Sequence, residues 1–268
     1  MLDHVFSPYT IKNVTFPNRL VVSAMVTNFC NKDGSASERY IAYHEEKAKG
    51  GFGMIITEDY AIRVKGKGFS NVAGMWDDSL IDSHSELTRR VHQYDSKIIA
   101  QIYHAGRQTH QGVTGFPPEA PSAVPCPANK QIPHELTVEE IKDIEQDFAD
   151  CARRCKQAGF DGIEIHGGHG YLVAEFMSSY SNKRIDQYGG SLTNRMRFPL
   201  EAIAAIRKAV GEEFIVGFRI SADELVPGGR TKEDTKTIAL MLEAAGIDFL
   251  HVSAGVYGSS YAIAPPQA

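Results

Sequence analysis

Short apolar runs alternate with amphipathic stretches along this chain, and the alternation predicts strand then helix, several times over. Leu20-Val21-Val22-Ser23-Ala24-Met25 reads as a first buried strand, Met54-Ile55-Ile56-Thr57 as a second and Lys97 to Ile102 as a third. Gly162 to Ile165, Phe214 to Ile220 and Phe249 to Val252 supply a fourth, fifth and sixth. Between them, helical spacing covers Ser37 to Lys49, stopped by Gly50-Gly51, and Leu80 to Tyr94, with Leu87 and Val91 on one face. Thr137-Val138-Glu139-Glu140 is a capping box opening a long amphipathic helix that closes at Ala158-Gly159. Leu192 to Val210 reads as a helix bent or divided at Pro199, and Thr231 to Ala245 as a capped one.

Two junctions repeat: Ala158-Gly159-Phe160-Asp161 and Ala245-Gly246-Ile247-Asp248 each end a helix and launch a strand. No hairpin signal separates the six strands, so the crossovers are right-handed and the sheet parallel. Ahead of them, Phe6 to Arg19 alternates around Asn13 as a small hairpin capping one end. The expectation is an α/β fold, a (β/α)8 TIM barrel forming one domain over residues 1–268 and truncated after the sixth strand. A barrel left incomplete at its C-terminus favours a homo-oligomer over a lone monomer, and its open edge is an aggregation hazard. Gln108 to His134, carrying prolines 117, 118, 121, 125, 127 and 133, is too long for a plain connection and reads as a functional loop or lid.

Composition narrows the class. A net charge of -5 and a pI near 6.1 leave no basic footprint for nucleic acid. No apolar run approaches the roughly 18 residues of a membrane span. MLDHVFSPYT lacks the regions of a signal peptide, so no membrane partner and a cytoplasmic location are expected. Four scattered cysteines do not make a disulfide framework, and Cys151 and Cys155 share a helix face as packing residues.

The candidate chemistry gathers where strands end. His166, His169 and Tyr171 crowd between glycines just past the fourth strand, at the position of a site in a parallel barrel. Ser23 and Met25 lie at the end of the first strand, Glu58 and Asp59 follow the second, and Gln101 and His104 sit at the third. Arg219, embedded in the fifth, needs a carbonyl-rich or anionic partner, with an ion pair to Glu58 or Glu164 as the plainer alternative. Two imidazoles three apart off a helix lack a third metal ligand, so no metal is expected; beside an arginine they suit an anionic oxygen. Gln101, able to donate and accept at once, suits the edge of a hydrogen-bonding ring.

His166-Gly167-Gly168-His169-Gly170-Tyr171, Glu175-Phe176, Ser181-Asn182-Lys183-Arg184 with Asp186, Tyr188-Gly189-Gly190-Ser191 and Asn194-Arg195 closely resemble the old yellow enzyme family of flavin-dependent ene-reductases. Asn18-Arg19, Gln101 with His104-Ala105-Gly106-Arg107, Ala120-Pro121-Ser122 and Glu135-Leu136-Thr137 agree, so the resemblance runs from about Phe6 to Gly255. It is nearest the branch with 2-enoate and 2,4-dienoyl-CoA reductases. The resemblance implies FMN lined by the backbone from Ser23 through Ala24 and Met25 to Val26, with Asp59 or its neighbour approaching the ring, His166 also against the cofactor, Gln101 on the pyrimidine edge and Arg219 near N1 and O2. It implies that His166 and His169 hold the carbonyl oxygen of an enone, enoate or enoyl-thioester substrate, that hydride leaves flavin N5, and that Tyr171 donates the proton. NADH or NADPH is the implied reductant. An iron–sulfur cluster and FAD are implied only if the native chain is longer, and the family's phosphate-holding strands seven and eight lie beyond the six counted. The rivals are a non-catalytic truncated barrel and a flavin-free lyase. Cys30, close after the first strand, is a further candidate for the flavin's edge.

Overall fold

The computed structural model describes residues 3–263. A hairpin comes first, Tyr9–Ile11 paired antiparallel with Val14–Phe16. One six-stranded parallel sheet then runs in sequence order. Its strands are β1 (Val21–Val22), β2 (Met54–Ala61), β3 (Lys97–Tyr103), β4 (Gly162–Gly167), β5 (Ile215–Ser221) and β6 (Phe249–Ser253). The main helices are α1 (Glu38–Lys49), α2 (Ile81–His92), α3 (Val138–Gln157), α4 (Arg197–Val210) and α5 (Lys232–Ala244). Side chains alternate across the strands. Ile55, Ile98, Ile102, Ile163, Ile165, Val216 and Phe218 turn outward into one core with Leu87 and Val91 of α2, Ile141 and Phe148 of α3 and Ile203 of α4. Each such burial contributes roughly 1.5–3 kcal/mol. The inward residues at the strand starts, Met54, Ile56, Ile99 and Ile215, pack instead on Phe16 of the hairpin.

The repeated junction has a physical cause. Gly159 and Gly246 take positive φ (84° and 86°), which ends α3 and α5. The aspartate that follows ties its strand to the neighbour: Asp161 Oδ2 accepts from Ile98 N at 2.7 Å, and Asp248 Oδ2 from Val216 N at 2.8 Å.

Four local expectations need correction. β1 keeps only two residues in the sheet, because the chain past Val22 leaves it and Ala24 O is taken by Arg219 Nη1 at 3.0 Å. β2 runs on to Ala61, so Glu58 and Asp59 lie inside the strand rather than after it. A bulge there sets Thr57 and Glu58 opposite the single residue Ala100, between the pairs Ile56–Ile99 and Asp59–Gln101. The break in the helix after β4 falls at Met196, not at Pro199; Pro199 sits in the first turn of α4, where its missing N–H costs nothing. Residues 108–134 are built rather than loose: they hold a helical turn, Gln111–Thr114, and Glu119–Ala120 pairs with His134–Glu135. Arg184 braces the segment, donating to Pro121 O at 2.9 Å and Leu136 O at 2.6 Å.

The sheet curls until Ser23 Oγ, just past β1, lies 3.2 Å from His251 Nε2 on β6. The outward face of β6 is open, with Leu250 and Val252 exposed.

Candidate functional site

Strand register places the inward polar side chains in rungs. Asp59, Gln101 and Glu164 are neighbours across β2, β3 and β4, and His166, Arg219 and His251 across β4, β5 and β6. Asp59, Gln101, His166 and Arg219 converge on a cavity of about 380 Å³ at the carboxyl ends of the strands, within the usual range for a small-ligand site, which Glu164 and His251 do not line. It is lined by Ser23, Ala24, Met25, Val26, Asp59, Gln101, His166, His169, Tyr171 and Arg219, all singled out from sequence, together with Tyr257 and Ile263. Glu58 is not among them. The bulge turns it to accept backbone N–H groups of Thr27 and Asn28, which fixes the loop after β1.

The histidines form a directed chain. Gly168 N donates to His166 Nδ1 at 3.2 Å, which puts the His166 proton on Nε2, facing His169 Nδ1 at 3.3 Å. His169 Nε2 then meets Ser253 Oγ. Burial, the nearby Arg219 and, for His166, its partner imidazole hold His166 well below the ordinary histidine range and His169 at about 3, so both rings are neutral N–H donors. His169 sits at φ 55°, between Gly168 and Gly170, a left-handed backbone held by its own N–H donating to Ser221 Oγ at 2.9 Å. Tyr171 is buried, its ring 4.9 Å from that of His166, and burial keeps its phenol protonated.

Arg219 makes no ion pair among the described residues, so the plainer alternative is overturned. Its one hydrogen bond goes to Ala24 O, and Nε is buried without a partner. Gln101 is not free: its Nε2 donates to Glu164 Oε1 at 2.6 Å, and the other oxygen of Glu164 meets His251 Nδ1 at 2.9 Å. Asp59 is driven up to about 8, first by burial and then by Glu58, against the opposing pull of Arg219; its Oδ2 is buried and unpartnered. The cavity thus holds one guanidinium, a carboxyl that stays protonated at neutral pH, and neutral imidazole and phenol donors.

Other candidates fall outside the cavity. Cys30 packs in the outer core with Tyr40 and Tyr60, and burial raises its thiol, which removes it from the flavin's edge. His104 meets Glu119 at 3.1 Å, and Arg107 donates to Val124 O at 3.2 Å. Glu164, Ser253 and His251, which bond to the lining residues Gln101, His169 and Ser23, were missed as supports of the site. Period-two alternation from Gly162 and from Phe249 would have placed all three inward, but short strands invite reading only their ends. Tyr257 carried no sequence signal.

The buried, unpartnered Asp59 Oδ2 and Arg219 Nε are a donor set for a planar ring with its own donors and acceptors, so the residues present fit a flavin. A sequence profile of the NADH:flavin oxidoreductase / NADH oxidase family matches residues 4–262. The chain is 49% identical over 266 residues to an NADH oxidase of Thermoanaerobacter brockii, covering 98% of this chain and 41% of that protein. It is 41% identical to an NADPH dehydrogenase of a Geobacillus species, covering 94% and 73% respectively. A solved 2-naphthoyl-CoA reductase in complex with 2-naphthoyl-CoA superposes with a TM-score of 0.92 at 34% identity, over 96% of this chain and 41% of that one. The chain therefore spans about two fifths of the length of the first of these relatives and of that reductase. With the profile match across nearly all its length, the chain belongs to the NADH:flavin oxidoreductase / NADH oxidase family, the old yellow enzyme family.

Proposed function

We propose that this chain is the flavin- and substrate-binding part of an FMN-dependent NAD(P)H oxidoreductase that reduces a carbon–carbon double bond conjugated to a carbonyl. The observation that carries the reading is the convergence of Asp59, Gln101, His166, His169, Tyr171 and Arg219 on one cavity from four strand ends. Ser23, Ala24 and Met25, with Asp59 and Gln101, would hold the ring, and Arg219 would lie where negative charge collects on reduction. Bound there, FMN supplies a hydride once a nicotinamide has reduced it.

The protein's part is binding, orientation and the proton. Neutral His166 and His169, once turned from each other and from Ser253, would present N–H groups to a carbonyl oxygen without placing a second cation beside Arg219, and would favour the charge that grows there as the double bond is reduced. Tyr171, protonated because it is buried, is suited to give its proton to the α-carbon. An aryl or enoyl thioester is the favoured substrate class, in keeping with the ligand of the 2-naphthoyl-CoA reductase. On this reading the six strands are six of the eight of a (β/α)8 barrel with the hairpin at its base, and an iron–sulfur cluster and FAD enter only with a longer native chain.

The test is reconstitution with FMN, anaerobic reduction by NADH or NADPH, and reoxidation by cyclohexenone or an enoyl thioester. Bound yellow flavin that bleaches and then recovers with saturation of the double bond is expected. A preparation that binds no flavin favours the inert barrel, and turnover without flavin favours the lyase.

A further inference from the structure

The Tyr171 hydroxyl is enclosed. The side chain is 5% exposed, and its rings of contact are His166, Tyr103 and Tyr257. Among the described residues its hydroxyl has one hydrogen-bond partner, Tyr257 Oη at 3.3 Å. Tyr103, the other phenol beside it, is committed elsewhere: its hydroxyl accepts from Gly68 N at 2.8 Å. A buried donor that gives up its proton is left as an anion in a poorly solvated site beside Asp59, and must be refilled before the next turnover.

Tyr257 has the placement to refill it. It is part-exposed at the rim of the same cavity while its hydroxyl reaches inward. The turn that carries it is built: Val256 bridges to His169, Ser221 Oγ donates to Gly255 O at 2.9 Å, and Gly255 N donates to Asp223 O at 2.8 Å. The same Ser221 hydroxyl accepts from His169 N, so one side chain sets both the imidazole and the turn. A separation of 3.3 Å is long for two hydroxyls, and such contacts commonly tighten when substrate closes the site.

We propose that Tyr257 is a proton relay that resupplies Tyr171 from solvent, a role that rests on the reading of Tyr171 as proton donor. In each turnover the Tyr171 O–H bond breaks and a C–H bond forms at the substrate α-carbon, leaving a phenolate. The Tyr257 O–H bond then breaks as its proton moves to Tyr171, and water reprotonates Tyr257. The electron pair of the reduction comes from the reduced flavin, so the relay moves protons only.

The test is stopped-flow kinetics of the FMN-loaded protein, with reduction by NADH or NADPH and reoxidation by cyclohexenone followed separately in H2O and D2O. In Tyr257→Phe the ratio of reoxidation to reduction rate is expected to fall about tenfold over repeated turnovers, with a larger solvent isotope effect on reoxidation. Tyr257→His, which restores a group that can accept and donate, should recover most of the ratio; a packing defect would not be repaired by imidazole. Tyr171→Phe should be slower still, in the first turnover as well as later ones. A Tyr257→Phe protein with parental ratio and isotope effect, beside a slow Tyr171→Phe, overturns the relay and leaves the donor standing. A Tyr171→Phe protein that reoxidises at the parental rate removes the donor, and the relay with it.

Discussion

Replacing Asp59 by asparagine isolates the energetic consequence of burying this carboxyl. Its ordinary value is 3.8 and in the fold it lies at about 8. An acid with a raised folded value holds its proton in the native state where the unfolded chain has lost it. Its contribution to stability is therefore fully present below pH 3.8 and is lost as pH climbs through about 8. Each pH unit in that window removes about 1.4 kcal/mol, so at neutral pH the side chain costs roughly 4 kcal/mol relative to a neutral isostere. The amide introduced by Asp59→Asn has the same shape as the carboxyl, keeps a donor and does not titrate. Urea unfolding of the flavin-free protein at several values between pH 4 and 8 should show parent and variant similar at the acid end and diverging steadily above it, with the variant more stable. Parallel curves would show that Asp59 ionises freely in the fold and would sink the reasoning.

Arg219→Met should weaken FMN binding about ten- to a hundredfold, the worth of a charge-assisted hydrogen bond; fluorescence titration reads this directly, and unchanged affinity would mean the guanidinium serves only Ala24 O. His169→Ala removes one N–H donor and should slow reoxidation by an enone about 10²–10³-fold; a change confined to substrate affinity would demote it to a binding residue. Thr137→Ala breaks the capping box at the start of α3, where Thr137 Oγ1 accepts from Glu140 N at 3.2 Å, and should lower stability by about 1 kcal/mol in urea with little effect on flavin binding.

The strand–helix alternation was legible because each outward strand face and each helix stripe had to be apolar to meet the other. Thr137, Thr231 and Gly159 marked helix ends through local hydrogen-bond chemistry that a sequence displays directly. The cavity's ring of polar residues could be read at strand ends for the same reason: Arg219 has no place in an apolar run unless something inside receives it. What failed was set by distant contacts. β1 stops early because of a carbonyl claimed by Arg219, 195 positions away. Glu164 looked like an alternative partner for Arg219, yet it holds Gln101 and His251, a choice decided only by which strands stand side by side. Tyr257 lies on a turn beyond β6, and nothing local tells that turn to fold back over His169.

The irregularity in β2 reaches beyond its own strand. Below it Met54 and Ile56 point inward; above it the parity has flipped, so that Asp59 and Ala61 do. The bulge therefore acts as a selector between two adjacent acids: regular alternation through the same residues would send Glu58, one methylene longer, into the chamber and Asp59 to the outer side. Loss of Thr57, which does not line the chamber, would therefore straighten the ladder with Glu58 still outward and Asp59 still inward, so the acid presented there is set by the paired register rather than by the length of the strand.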